Sequence, residues 1–237
     1  DYAITPSVAL VDPDLAMSMP AKLTADTGLD ALTHAIEAYV SVLATDYTDP
    51  LALRAIQMIF EYLPRAYRNG NDREAREKMH NASCIAGLAF TNAFLGVNHS
   101  LAHVLGAKFH IAHGRANAIL LPHVIAYNAS KPSKFTAFPN YEKFIADVKY
   151  AQIAAAIGVA GATTAQSVAN LVERVRALLA EVEVPLTLRE QGVNRDAFNL
   201  QLLDMAYIAF DDQCTGANPR YPLVRELEEI YKKAYGD

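Results

Sequence analysis

Beyond its first twenty residues this chain reads as helix after helix, with apolar positions that recur mainly at intervals of three and four. That period puts side chains on one face of an α-helix, so it confines the chain to an all-α architecture. Leu29, Leu32, Ile36, Tyr39, Val40 and Leu43 are spaced at 3, 4, 3, 1 and 3. Only Val8–Val11, apolar, partly β-branched and stopped by Asp12-Pro13-Asp14, reads as a strand. Ser18 and Pro20 open a short helix that Gly28 closes, and a second helix follows at once. Asp49-Pro50 caps a helix that Pro64 kinks or ends, and Asn71-Asp72 starts one with a stripe of Ala, Ser and Gly. Gly96 breaks it before a short helix at HSLAHVL, and RANAILLPHVIAY forms a buried helix with Pro122 inside. Three or four amphipathic helices follow, from segments beginning near Tyr141, Thr164, Arg195 and Pro222, and residues 131–140 are the best loop. A lone strand has nothing in such a domain to pair with, so Val8–Val11 points to a piece of a larger protein.

With 237 residues, 52% of them hydrophobic, the chain has enough apolar surface for an ordinary core, which excludes disorder. Its formal charge of −5 gives no electrostatic footprint for nucleic acid or for an anionic membrane. No apolar stretch approaches the roughly 18 to 20 residues that a membrane span requires. The first residues carry no secretory signal, and Cys84 and Cys214 match neither a disulfide framework nor CxxC spacing. A reducing cytoplasm is the expected compartment.

Four of the seven histidines, His99, His103, His110 and His113, fall within 15 residues, where an even distribution would put about 0.4. Neutral imidazole is the commonest metal ligand, so this density calls for a metal or an acid–base explanation. Upstream, Asp30 and His34 lie at i and i+4 on one helical face, with Glu37 and Ser41 continuing the polar stripe. Taken alone, such a pair is more often a solvated surface pair; His80 reads as surface or boundary packing and His123 as a satisfied core histidine.

Spacing removes several chemistries. HSLAH has the two-histidine geometry of a zinc protease helix, but Ser100 stands where the catalytic Glu would be. There is no GxSxG elbow, and the 11 glycines include no GxG pair, so neither a dinucleotide fingerprint nor a P-loop can be written.

Three runs carry a resemblance: LTADTGLDALTHAIEAYVS, FLGVNHSLAHVLGAKFHIAHGRANAILLPHVIAYN and DDQCTGANPRYPL. Together they resemble the iron-containing, group III alcohol dehydrogenases, and the last, with VLATDYTDP, is most similar to the alcohol dehydrogenase half of bifunctional aldehyde-alcohol dehydrogenases. The resemblance implies the all-α, multi-helix C-terminal domain of the dehydroquinate synthase-like fold. Residues 20–237 would be that metal-binding domain, and residues 1–19 a strand and linker remnant of a Rossmann-like domain that is not present.

Carried over by residue, the resemblance assigns a divalent metal to Asp30, His34, His99 and His113, with Fe²⁺ as the family habit and Zn²⁺ as the alternative. It gives His103 a proton-handling role and places Leu23, Phe90 and Cys214 along the nicotinamide and substrate cleft. His110 is not a family ligand. The implied activity is NAD(P)-dependent interconversion of short-chain primary alcohols and aldehydes, with NAD(H) as the cofactor named first, in an intact protein that forms homo-oligomers or filaments. The other reading is a helical self-association module of such a filament-forming enzyme.

Overall fold

The computed structural model describes residues 7–132 and 144–237. Among these, α1 (Ala21–Val40), α2 (Asp49–Arg68), α3 (Arg73–Ala93), α4 (Val97–Phe109) and α5 (His113–Ala129) precede α6 (Ala146–Ala156), α7 (Thr164–Glu181), α8 (Arg195–Asp211) and α9 (Val224–Tyr235). The all-α expectation holds, and no helix among the described residues is long and apolar enough to cross a membrane.

Helix α1 is the centre of the molecule, packed against α2, α3 and α5 with most of its side chains buried. Gly28 does not close a first helix, as the sequence suggested; α1 runs straight through it. An interior glycine costs a helix about 1 kcal/mol relative to alanine. Here packing decides the residue. A Cβ on Gly28 would stand 2.5 Å from Leu63 Cδ1 and 3.1 Å from Met79 Cε, so its absence lets α2 and α3 close onto α1.

Val8–Val11 is likewise not a strand. A strand exists by pairing its backbone with a neighbour, and no described residue offers that pairing; Val8 and Leu10 are exposed. Pro64 does not end α2, which continues to Arg68. Pro122 lies inside α5 as expected. Of the expected loop at 131–140 and the helix start near Tyr141, residues 133–143 lie outside the described residues; α6 begins at Ala146.

Four contacts fix where α4 and α5 begin, and so aim the side chains of the site. At the start of α5, Gly114 lies against the α1 backbone, where a Cβ would come 1.9 Å from the Asp26 carbonyl oxygen. The buried Asp26 carboxylate accepts from Arg115 Nε at 2.9 Å and ties the same two helices together. Helix α4 has Gly96 as its N-cap, with no capping side chain of its own. Its first N–H groups are satisfied from elsewhere in the chain: Val97 N donates to Asn218 Oδ1 (3.2 Å) and Asn98 N to Glu37 Oε1 (2.7 Å). A carboxylate suits that position, because orphan N–H groups and the helix dipole both favour negative charge there.

Candidate metal centre

The four residues assigned to a metal come from three helices and meet at one place. Asp30 and His34 project from adjacent turns of α1, His99 from the first turn of α4, and His113 is the first residue of α5. One ligand atom from each lies within 4.8 Å of all the others. The Nε2 atoms of His34, His99 and His113 stand 3.8, 3.7 and 3.4 Å from the Asp30 carboxylate. The imidazoles stack in a fan, His34 on His99 with centroids 4.7 Å apart and His99 tilted to His113 at 5.3 Å.

Glu37, one further turn along α1, sets the tautomer of His99. Its Oε2 lies 2.5 Å from His99 Nδ1, and both side chains are almost fully buried. An ionised carboxylate only accepts, so the proton of a neutral His99 sits on Nδ1 and the Nε2 lone pair faces Asp30. Asn117 of α5 completes the arrangement. Its Nδ2 donates to Asp30 Oδ1 at 2.7 Å and lies 3.2 and 3.1 Å from Nε2 of His99 and His113, so an electropositive group is already welcome at the focus. Asn98 Nδ2 holds Asn117 through its side-chain and backbone oxygens.

The charges are coupled. Burial pushes His34 down to about 4 despite Asp30 beside it, and lowers His113 as well. Burial would lower His99 too, but the Glu37 and Asp30 carboxylates reverse it and hold the imidazole at about 9. Asp30 is lowered: burial works against this, and its contacts with the three histidines outweigh it. The half-buried Asp30 carboxylate of the donor set and the buried Glu37 carboxylate behind it are thus shared among three imidazoles. This arrangement calls for a compact positive charge, and one carboxylate oxygen with three imidazole nitrogens suits Fe²⁺ or Zn²⁺.

The remaining expected residues distribute unevenly. Phe90 of α3 stacks on His34 with centroids 4.5 Å apart and walls the site on that side. His103 is partly exposed and stacks on His113 at 5.4 Å; its Nδ1 lies 2.8 Å from Asp212 Oδ2. Cys214 is buried beside Asp212, while Leu23 is exposed two turns before Asp30 on α1. His110 takes no part in the cluster. It ends α4 in the left-handed conformation, φ 55°, which explains its place in the turn without any chemistry. His123 is half-buried in a cavity wall with Arg176 and Lys233, and burial first, then those cations, push it down to about 4. His80 is also half-buried, with Nδ1 unpartnered.

Sequence reasoning missed Glu37, Asn117 and Asp212 as parts of the site. Glu37 was visible as the polar residue seven positions after Asp30, which is two turns along the same face. Nothing in the spacing marks Asn117 or Asp212, because each reaches the site through tertiary packing.

Residues 24–235 match the Fe-containing alcohol dehydrogenase family, C-terminal. An aldehyde-alcohol dehydrogenase of Streptococcus pneumoniae is 48% identical over 235 residues, 99% of this chain and 26% of that protein. The bifunctional aldehyde-alcohol dehydrogenase AdhE of Escherichia coli is 50% identical over 239 residues, again 99% of this chain and 27% of that protein. Among solved structures, an iron-containing alcohol dehydrogenase from Thermococcus thioreducens superposes with a TM-score of 0.86 at 35% identity, over 99% of this chain and 56% of its own. The chain therefore spans about a quarter of the bifunctional relatives and about half of that structure.

Proposed function

Since the chain belongs to the Fe-containing alcohol dehydrogenase family, we propose that it supplies the metal-binding catalytic part of an NAD(P)-dependent enzyme interconverting short-chain primary alcohols and aldehydes. The observation that carries this reading is the convergence of Asp30, His34, His99 and His113 within 4.8 Å, with Glu37 orienting His99. A divalent cation bound there supplies a Lewis acid that eases loss of the alcohol proton and polarises the aldehyde carbonyl.

The chain's own residues do the rest. Four protein ligands of net charge −1 leave a divalent site at +1, suited to an anionic oxygen. Phe90 stacked on His34 gives one wall of the site a low-polarity surface that excludes water from the reacting carbon. His103, partly exposed and stacked on His113, connects this place to solvent and is positioned to carry a proton between them. We place the helical catalytic unit at residues 20–237. NAD(H) is held mainly by sequence outside it, because the 11 glycines provide no phosphate-cradling loop. Leu23, Phe90 and Cys214 are assigned to the nicotinamide side of the cleft.

Chelation tests the reading. Exhaustive removal of metal from the full-length enzyme is expected to abolish ethanol oxidation, and Fe²⁺ or Zn²⁺ added back to restore it. Undiminished turnover by protein shown to be metal-free would overturn it.

A further inference from the structure

Asp212 lies directly after α8 and caps the 3₁₀ turn Gln213–Ala217. Its two oxygens do separate work. Oδ1 accepts the Cys214 N–H at 2.8 Å and the Ser100 hydroxyl at 3.3 Å, which holds the turn against α4. Oδ2 faces His103 Nδ1 at 2.8 Å. His103, Asp212 and Cys214 form a second group of metal-capable side chains within 4.8 Å of one another. It is a poor cation site, however, because Cys214 is buried and both burial and the Asp212 carboxylate push its thiol far up, so it remains protonated.

We propose that Asp212 is the positioning residue for His103 in the dehydrogenase reaction, an inference that rests on the function proposed above. An ionised carboxylate at Nδ1 can only accept, so it fixes the imidazole proton on Nδ1 and leaves the Nε2 lone pair free. No described side chain bonds that Nε2, and the ring lies flat on His113 at an interplanar angle of 16°. In alcohol oxidation the hydroxyl proton passes to His103 Nε2 and on to water, while the carbinol carbon gives its hydride to NAD⁺. Asp212 stays ionised and stabilises the imidazolium that forms in between.

The division of labour between the two oxygens supplies the test. In Asp212→Asn the amide oxygen can keep the Cys214 and Ser100 bonds while the NH₂ group faces Nδ1, which moves the ring proton to Nε2. In the full-length enzyme kcat for ethanol oxidation should fall about 100-fold, with KM and metal content within about twofold of wild type. His103→Ala should show a similar loss, and adding Asp212→Asn to it should cost nothing further. Wild-type kcat in Asp212→Asn, or a second full loss in the double variant, would overturn the proposal.

A second readout does not depend on turnover. In zinc-loaded protein with ¹⁵N-labelled histidine, His103 should carry its proton on Nδ1 in wild type and on Nε2 in Asp212→Asn. An Nε2–H tautomer in wild type would overturn the assignment to Asp212. Failure of the wild-type enzyme to bind metal or oxidise alcohol would instead count against the parent reading.

Discussion

Replacing Glu37 by Gln is expected to lower affinity for a divalent metal by about 10- to 100-fold, the usual cost of losing the outer partner of a metal-bound histidine. The change is nearly isosteric. Gln Oε1 can still accept the Asn98 N–H that Glu37 Oε1 now accepts at 2.7 Å, so the start of α4 keeps its cap. What changes is the atom facing His99 Nδ1. An amide NH₂ there donates instead of accepting, which drives the imidazole proton to Nε2, the atom that faces Asp30. Competition against a chromophoric chelator measures the loss, and unchanged affinity would show that Glu37 does not set the tautomer. Glu37→Ala removes the cap as well. It leaves a buried imidazole beside an unanswered helix N-terminus, and urea unfolding of metal-free protein should show a loss of about 3 kcal/mol or more.

Gly114→Ala should destabilise the chain and disable the site together. On propensity alone alanine gains about 1 kcal/mol in a helix. At this position its Cβ would stand 1.9 Å from the Asp26 carbonyl oxygen and 2.7 Å from the Asp26 carbonyl carbon. Those are backbone atoms of the most buried helix, so no side-chain rotation relieves the contact, and α5 must move away from α1. Overpacking of this kind costs about 1–3 kcal/mol and sometimes more, so the clash outweighs the propensity. His113 is the neighbouring residue and moves with the backbone, away from Asp30 at 3.4 Å. A lower urea midpoint accompanied by loss of bound metal is the expected result. A variant as stable as wild type with full metal content would mean that the helix contact is not what aims His113.

These two residues also show which parts of the molecule the sequence made legible. The 3-and-4 spacing was enough for the helices, because burial on one face is a property of the local pattern. Asp30 and His34 were legible for the same reason: the helical repeat alone puts them on adjacent turns. Their meeting with His99 and His113 was not legible from spacing, and only the family resemblance joined them. Gly28 shows the opposite failure. Read locally it is a stop signal, yet its missing Cβ serves Leu63 and Met79, which lie 35 and 51 positions away. Val8–Val11 failed because a strand is a relation between two segments, and the described residues contain only one of them. Asp212 and Asn117 reach the site across 109 and 87 residues of sequence, distances over which no periodicity informs.

The central claim is that these three helices build a site for one divalent ion. Elemental analysis of the chain purified without chelator or added metal tests it most directly, alongside Asp30→Ala and His110→Ala. About one divalent ion per chain is expected in wild type, none retained by Asp30→Ala, and full retention by His110→Ala. A wild-type chain without metal, or equal loss in both variants, would contradict that claim.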